Sequence, residues 1–355
     1  MTFVYVPVGP TIELDKYSWW WKKDSLFRYN KMMACFPYVK DMWDYRELCN
    51  LPDDFELYSD SGGFQTITLK ESYEPVDVLR WQEHNANVGM MLDVPPPPDV
   101  TDFNIYKSYA ERSLRNFQIA ERNRSSDSLK LYKILHGEFP QELKYWWNLI
   151  KDISADGIGC SPRPHWGSST SIVRPLSFLL SIGYTKNVHV FVAGGRVEIV
   201  LLTYLGKFFE NLTMDCSTWH VKGVNKVYSV PYVFGGFFGF NIRFDKEFSG
   251  KLKELPCDCP ICAETSVKEL CETRNKYYST YLIAMHNLYH YLKYVEMLNK
   301  LVDDEDEFFN YIRRLREREE ILEAIKLIEL SLKEGYESAF NKLCAKGKRL
   351  VDVFG

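Results

Sequence analysis

The sequence lacks the features that place a chain in a membrane. It has no run of about 18 consecutive apolar residues, so we expect no membrane-spanning helix. The opening residues MTFVYVPVGP have no positively charged stretch followed by an apolar one, so they do not resemble a secretory signal. These absences predict a cytoplasmic protein, in which most of the nine cysteines would be reduced thiols.

The sequence also lacks an excess of basic residues. It holds 44 Lys and Arg against 48 Asp and Glu, which gives a formal net charge of −4. A nucleic-acid partner would therefore need a local basic face. The 46% hydrophobic and 26% charged residues are ordinary for a globular chain, which excludes disorder, collagen and coiled coil as the dominant state. The 15% aromatic content favours a large aromatic core or surfaces on which bases stack.

What the sequence does contain is a repeated local pattern. A short apolar or β-branched run ends in small or polar residues, and a longer amphipathic stretch follows. Strands that alternate with helices predict βαβ units and a parallel sheet. Six such runs follow an opening strand near residues 4–8, and they cover residues 55–59, 88–92, 131–135, 157–159, 188–192 and 211–214. Their number predicts a (β/α)8 TIM barrel of the α/β class rather than an open, doubly wound sheet.

The predicted strand ends carry polar or small residues. Reactive side chains in a (β/α)8 barrel lie at the carboxyl ends of its strands. The residues at these ends are Asp60, Asp93, His136, Ser161, Gly194 and Asp215. Aspartate and glycine are also ordinary turn formers, so any one of them alone fits a plain turn. Because the strand pattern selects all six without regard to reactivity, their coincidence predicts a site at this end of the barrel.

Three closely spaced cysteines predict a metal site after the barrel. Cys257, Cys259 and Cys262 form a C-x-C-x-x-C sequence, and His286 follows in a helix-like run. Three thiolates and one imidazole make the tetrahedral set that zinc prefers in structural sites. His290 lies one helical turn further on and is the alternative fourth ligand. Four protein ligands leave no open position, so we expect a structural zinc ion.

The sequence changes character near residue 255, which predicts three segments. Residues 1–255 would form the barrel with its catalytic site, residues 256–300 a zinc-binding subdomain, and residues 301–355 C-terminal helices. Amphipathic stretches within residues 308–334 and 336–351 would pack against the barrel or against a second subunit.

Several of these motifs together resemble one enzyme family. The hexapeptide DSGGFQ at residues 60–65 is similar to the signature of the tRNA-guanine transglycosylases. The cysteine cluster with MHN at residues 285–287 resembles that family's zinc site. The segment MDC at residues 214–216 resembles the one that carries its nucleophile, and FNIRF at residues 240–244 also fits the family. The order of the motifs matches from about residue 50 to residue 300.

The resemblance implies exchange of guanine in a nucleic acid for a 7-deazaguanine base of the preQ0 or preQ1 type. Asp215 would be the nucleophile that attacks C1′ and forms a covalent sugar–enzyme intermediate. Asp60 would be the general acid/base, which protonates the leaving guanine and then deprotonates the incoming base. Asp93 would accept hydrogen bonds from guanine N1–H and its amine. The other base-binding residues would be Ser61, Phe64, His136, Ser161, Gly194 and Gly195.

Departures from the family pattern lie where a partner would be recognised. His136 stands where bacterial members have glutamine, residues 159–164 read GCSPRP in place of a glycine-rich stretch, and residues 217–220 read STWH. These departures favour the family's DNA-modifying branch, with tRNA as the alternative nucleic acid. The target guanine would be single-stranded or flipped from its stack. Trp166 or Trp219 would occupy the space that the flipped guanine leaves in the stack; alternatively, either is a core residue.

Two basic stretches are candidates for contacts to backbone phosphates. They comprise Arg112, Arg115, Arg122, Arg124 and Lys130, and then Arg243, Lys246, Lys251 and Lys253. Two other functions stay open. One is a catalytically silent binding subunit, against which the presence of both Asp60 and Asp215 argues, and the other is a barrel hydrolase in which water completes the reaction. The family resemblance also suggests a homodimer.

Overall fold

The computed structural model describes residues 2–10, 16–161, 170–191, 194–230, 238–241, 257–266, 269–270 and 276–346. The strands in this part of the chain are β1 Phe3–Pro7, β2 Lys31–Cys35, β3 Glu56–Asp60, β4 Val88–Met90, β5 Lys130–His136, β6 Gly157–Ser161, β7 Asn187–Val190, β8 Asn211–Cys216, β9 Val227–Val230 and β10 Phe238–Asn241.

Helices follow most of the strands. They are α1 Phe36–Val39, α2 Tyr45–Leu48, α3 Gly63–Leu69, α4 Pro75–Asn85, α5 Phe103–Asn123, α6 Pro140–Ile150, α7 Val173–Ser181, α8 Arg196–Leu205, α9 Thr218–Val224, α10 Pro260–Ala263, α11 Lys276–Leu301, α12 Glu305–Arg313, α13 Arg318–Glu334 and α14 Tyr336–Lys346. Local sequence fixes several starts. Proline opens α4 and α6, where its missing N–H breaks no helical bond. Asp102 caps α5 by accepting a hydrogen bond from the backbone N–H of Asn104 at 2.7 Å.

Strands β1 to β8 form one parallel sheet in the order β1-β8-β7-β6-β5-β4-β3-β2. The two ends of this sheet meet where Val8 bridges Met33. The backbone N–H of Gly9 also donates to the carbonyl of Met33 at 2.7 Å. The sheet is therefore a nearly closed barrel with helices around it, and the predicted (β/α)8 architecture is confirmed.

Strand β2 is the barrel strand that the sequence pattern did not predict. In the described stretch 36–55 that follows it, the two helices α1 and α2 have four residues each, so the usual long amphipathic helix is not there. The spacing argument for a βαβ unit therefore had no signal at this point. Met32 to Cys35 are nonetheless buried, and Cys35 pairs beside Asp60 of β3.

Aromatic side chains occupy the barrel interior and one of its outer layers. Tyr58 on β3 and His189 on β7 lie with ring centroids 5.8 Å apart, although their strands are not neighbours. That contact crosses the inside of the barrel. Trp219 on α9 is fully buried, and its ring centroid lies 5.2 Å from that of Trp20. Trp219 is therefore a core residue, as one of the two interpretations had it.

The C-terminal helices pack on the barrel. Helix α11 lies against β1 and α9, and the side chain of Asn299 bonds both backbone groups of Phe3, at 3.2 and 2.8 Å. Helix α13 packs on α7 and α8, and the hydroxyl of Tyr204 donates to Glu329 at 3.2 Å. None of the helices in the described stretches has the length and apolar character needed to cross a membrane.

Candidate active site

The side chains predicted at the strand ends lie at one end of the barrel. Asp60, His136 and Ser161 are the last residues of β3, β5 and β6. Asp215 is the penultimate residue of β8, and Asp93 follows the end of β4. Because the eight strands are parallel, their carboxyl ends share one face. That face is the candidate active site.

Asp60 is a half-buried carboxyl group with two hydrogen-bond donors. The thiol of Cys35 donates to Oδ2 at 3.0 Å, and the backbone N–H of Gly62 donates to Oδ1 at 3.3 Å. Burial is the largest cause that raises the pKa of Asp60 to about 6, and repulsion from the charges of Asp215 and Asp93 adds to it. A carboxyl group that titrates near neutral pH can both give and take a proton, as general acid/base catalysis requires.

Two glycines explain how the DSGG sequence folds beside Asp60. Gly62 has φ +82°, a left-handed conformation that glycine adopts without strain, and it turns the chain from β3 into α3. At Gly63 a Cβ atom would lie 2.1 Å from Oδ1 of Asp93. A side chain at this position would therefore push the start of α3 away from Asp93.

Asp215 is held by a histidine from the neighbouring strand. Oδ1 of Asp215 lies 3.2 Å from Nε2 of His189, and the aspartate side chain is 16% exposed. Nδ1 of the same imidazole lies 2.8 Å from the hydroxyl of Thr213. The imidazole is fully buried. One carboxylate oxygen therefore has a fixed partner, while the side chain stays partly exposed near the carboxyl end of β8.

Asp93 forms a second polar cluster with His136 and Ser61. Nε2 of His136 lies 2.5 Å from Oδ2 of Asp93, and the hydroxyl of Ser61 donates to Oδ1 at 3.3 Å. All three side chains are buried. Within the described residues, Nδ1 of His136 has no hydrogen-bond partner although it is buried. The cluster therefore offers a fixed carboxylate and an unused imidazole nitrogen.

The other predicted base-binding residues have more varied surroundings. Phe64 is 44% exposed on the first turn of α3. A Cβ atom at Gly194 would lie 2.2 Å from the sulfur of Cys216, so this glycine lets the chain after β7 pass close to the end of β8. A Cβ atom at Gly195 would instead meet the carboxylate of Glu198, at 2.3 Å. The two glycines thus allow packing against β8 and against α8.

Two residues of the site were missed by sequence reasoning. Cys35 belongs to the unpredicted strand β2, so its place beside Asp60 had no signal. His189 lies inside β7 rather than at its end, and the strand-end rule passed over it. A single polar residue in the apolar run VHV was the available signal for His189, since a buried polar group needs a partner.

Several metal donors lie together beside the barrel. Donor atoms of Cys257, Cys259, His286 and His290 are all within 4.8 Å of one another. The sulfur of Cys262 adjoins them, 3.2 Å from Nδ1 of His286. Thiolates and imidazoles in such a small volume fit the ligand preference of zinc. This cluster could hold a metal ion.

The two histidines of the cluster are held differently. Nε2 of His286 donates to the backbone carbonyl of Ser229 at 2.7 Å, which leaves Nδ1 directed at two of the sulfurs, 3.2 and 3.3 Å away. His290 contacts a third sulfur, since its Nε2 lies 3.1 Å from Cys257 Sγ. The structure thus brings together the four predicted ligands and the alternative one.

The first basic stretch does not run along the site. Helix α5 begins beside the carboxyl end of β4 and leads to the amino end of β5, so Lys130 lies at the opposite end of the barrel from His136. Arg124 bonds the carbonyl of Leu129 and pairs with Asp156 at 3.0 Å. Arg124 and Lys130 therefore lie away from the strand ends that carry the candidate site, and their contact with backbone phosphates stays a prediction.

Some predictions fall outside the described residues. These are Trp166, the second half of the GCSPRP stretch at residues 162–164, the end of FNIRF at residues 242–244, and the second basic stretch at residues 243–253. The last predicted helix is described up to residue 346.

Comparison with known proteins identifies the family. The family described as queuine tRNA-ribosyltransferase matches residues 38–320. The chain belongs to this family. The matched region contains Asp60, Asp215 and the whole metal cluster, so the motifs that carried the resemblance all lie within it.

Three archaeal proteins are among the curated relatives of this queuine tRNA-ribosyltransferase family member. A tRNA-guanine(15) transglycosylase of Methanococcus aeolicus is 24% identical over 303 residues, which are 82% of this chain and 44% of that protein. The protein of that name from Methanocaldococcus jannaschii is 24% identical over 292 residues, 78% of this chain and 41% of the relative. The one from Methanosarcina mazei is 22% identical over 280 residues, 77% and 53%. The chain spans about half the length of these relatives.

All three of these relatives are named for tRNA. The family assignment predicted from the motifs is confirmed. The preference for the DNA-modifying branch finds no support in the comparisons, which favour the tRNA alternative.

Proposed function

We propose that this chain is a guanine transglycosylase that exchanges a guanine in tRNA for a 7-deazaguanine base. The observation that carries the proposal is the position of two carboxyl groups, Asp60 and Asp215, at the carboxyl ends of strands of one parallel barrel. Burial, with repulsion from the charge of Asp215, raises the pKa of Asp60 to about 6, which suits a general acid/base beside a nucleophile. The family match and the names of the archaeal relatives support tRNA as the nucleic acid.

In the first half of the proposed reaction, guanine leaves. A carboxylate oxygen of Asp215 forms a bond to C1′ of the target nucleotide while the bond from C1′ to N9 breaks. Asp60 gives its proton to the leaving guanine, so that the base departs as a neutral molecule. The product is a covalent ester between Asp215 and the ribose, with Asp60 now ionised.

In the second half, the incoming base reverses these steps. Its N9 attacks C1′, the ester bond to Asp215 breaks, and Asp60 takes the N9 proton. Both carboxyl groups return to their starting states, so the exchange needs no oxidant, reductant or net proton. A water molecule in place of the base would give hydrolysis, which is the rival outcome.

Asp93 is proposed to recognise the base. Each of its oxygens already accepts one hydrogen bond, from His136 or from Ser61, and these bonds fix its orientation. A carboxylate oxygen has a second lone pair, so each can also accept from guanine N1–H or from the exocyclic amine. Phe64 would cover the purine face from α3. Ser161, Gly194 and Gly195 are proposed to line the base pocket as well.

We also propose that Cys257, Cys259, Cys262 and His286 hold one structural zinc ion. His286 is the better fourth ligand because the carbonyl of Ser229 fixes its tautomer and two sulfurs lie within 3.3 Å of its Nδ1. The ion would hold α11 against the segment that follows the barrel. It would take no part in any bond-making step. A homodimer stays a prediction from the family.

The test is exchange of labelled guanine into tRNA and into single- and double-stranded DNA, side by side, with preQ0 and preQ1 as competitors. Label in tRNA from the wild-type chain but not from Asp215→Asn supports the proposal. Label in DNA alone would overturn the choice of tRNA and retain the chemistry. Release of free guanine without incorporation would indicate a hydrolase, and no reaction of any kind would indicate a silent binding subunit.

A further inference from the structure

The group that holds Asp215 lies inside the barrel rather than at its mouth. His189 is fully buried, and the ring centroids of Tyr58 and Phe191 lie 5.8 and 5.0 Å from that of its imidazole. Its two nitrogens each have one polar partner, Thr213 and Asp215. The imidazole thus links two residues of the neighbouring strand β8.

We propose that His189 is a positioning residue that aims one oxygen of Asp215 at C1′. The inference rests on the proposed function, because it assumes that Asp215 is the nucleophile. It adds a residue and a hydrogen-bond chain that the sequence motifs do not contain. Thr213, His189 and Asp215 form that chain in this order.

The two contacts of the imidazole agree on one tautomer. A carboxylate only accepts hydrogen bonds, so the 3.2 Å contact with Asp215 needs a proton on Nε2. In a neutral imidazole Nδ1 is then an acceptor, and the hydroxyl of Thr213 can donate to it at 2.8 Å. The other acceptor within reach of that hydroxyl, the carbonyl of Val188, is further away, at 3.4 Å.

This arrangement divides the two oxygens of Asp215 between two tasks. Oδ1 accepts the hydrogen bond from Nε2–H, and Oδ2 is left to attack C1′. In the covalent intermediate Oδ1 becomes the ester carbonyl oxygen, which can still accept from Nε2–H. When the ester bond breaks, the same N–H stabilises the negative charge that returns to the carboxylate. No proton moves to or from His189 at any step.

A buried histidine can also serve only as packing, and two amide substitutions separate these roles. The side-chain nitrogen of glutamine reaches about as far as Nε2 of histidine, whereas asparagine reaches only about as far as Nδ1. His189→Gln can therefore keep a donor at Asp215, and His189→Asn cannot. Both variants place an amide in the same buried position, so each is the matched control of the other.

The experiment measures kcat and KM for guanine exchange into tRNA, together with Tm, for the wild type and both variants. We expect His189→Asn to lower kcat about 100-fold with KM for tRNA within about twofold of wild type, and His189→Gln to recover about tenfold of that loss. Thr213→Val, which keeps the shape but removes the hydroxyl, should lower kcat by about tenfold.

Three results would overturn the inference. Equal kcat for the two amide variants would show that the donor does not matter, and a change confined to KM or to Tm would show a packing role. An unchanged kcat in all three variants, measured beside an active wild type, would also contradict the inference. If the wild type itself exchanges no guanine, the proposed function fails as well, so the two failures are distinguishable.

Discussion

The two carboxyl groups proposed to carry the chemistry share one end of one barrel, but their surroundings differ. Asp60 has a thiol and a backbone N–H as donors, and burial raises its pKa to about 6. Asp215 has an imidazole nitrogen at 3.2 Å. A thiol is a weak donor and an imidazole N–H is a strong one. Environment rather than residue type thus raises the pKa of one carboxyl group and orients the other, as the two proposed roles require.

Loss of the Asp215 carboxylate should have the largest effect. Asp215→Asn should lower guanine exchange into tRNA by at least about 10,000-fold, because an amide forms no ester with C1′. Labelled-guanine exchange at saturating tRNA measures this. Asp127→Asn, an exposed position before β5, is the matched control and should leave the rate unchanged. A rate within about tenfold of wild type in Asp215→Asn would mean that the nucleophile lies elsewhere.

Loss of the Asp60 proton should have the next largest effect. Asp60 must be protonated when guanine leaves, so the rate of adduct formation should fall as pH rises through about 6. The second half-reaction needs the ionised form and should fall as pH drops through the same region. Asp60→Asn should lower adduct formation by about 1,000-fold and abolish the pH dependence. Rapid-quench kinetics between pH 4.5 and 8 test this. A flat profile in the wild type would remove Asp60 from the acid/base role.

The metal cluster lies on the Asp215 side of the site. Removing a bound metal should therefore disturb the surroundings of Asp215 rather than those of Asp60. Asn287 of α11 donates to the carbonyls of Trp219 and Val227, at 3.4 and 3.0 Å, in the segment that follows Asp215. A zinc chelator should therefore lower Tm by about 10 °C. We expect His286→Ala to reproduce that loss and His290→Ala to cost about 2 °C, by differential scanning calorimetry with metal analysis. Equal losses would make His290 a ligand.

The smallest effect is expected on the Asp60 side. The hydrogen bond from the Cys35 thiol lowers the pKa of Asp60, against the larger effect of burial. Cys35→Ala should therefore move the fall in adduct formation to higher pH, while the maximum rate stays within about threefold of wild type. Cys35→Ser, which keeps a donor, is the control. A shift to lower pH would mean that the thiol is not a donor to Asp60.

Much of the fold was predictable because βαβ units repeat with a regular spacing. The strand-end rule found Asp60 and Asp215 in advance, since parallel strands bring their carboxyl ends to one face. Strand β2 was not predicted, because only two four-residue helices follow it in the described stretch, and Cys35 at its end was therefore missed as well. His189 was not predicted, because its proposed role depends on the pairing of β7 with β8, in which it lies opposite Thr213. The residue pattern of one β-strand does not show which residues of the neighbouring strand lie opposite it.

Arg124 and Lys130, which lie away from the site, show a second limit of prediction from sequence. Arg124 and Lys130 form a basic run in the sequence, yet one stabilises the turn before β5 and the other begins that strand. A charge run does not reveal which end of a barrel it occupies. The distinction follows only from the direction of the strand, which places His136 at one end and Lys130 at the other.

The division of roles between the two carboxyl groups is tested most directly by locating the covalent bond. The wild-type chain is incubated with tRNA without a competing base, denatured and digested, and the ribose-bearing peptide is identified by mass spectrometry. The account predicts one modified residue, Asp215, and no adduct in Asp215→Asn. An adduct on Asp60, or exchange without an adduct in a chain that is fully active, would contradict it.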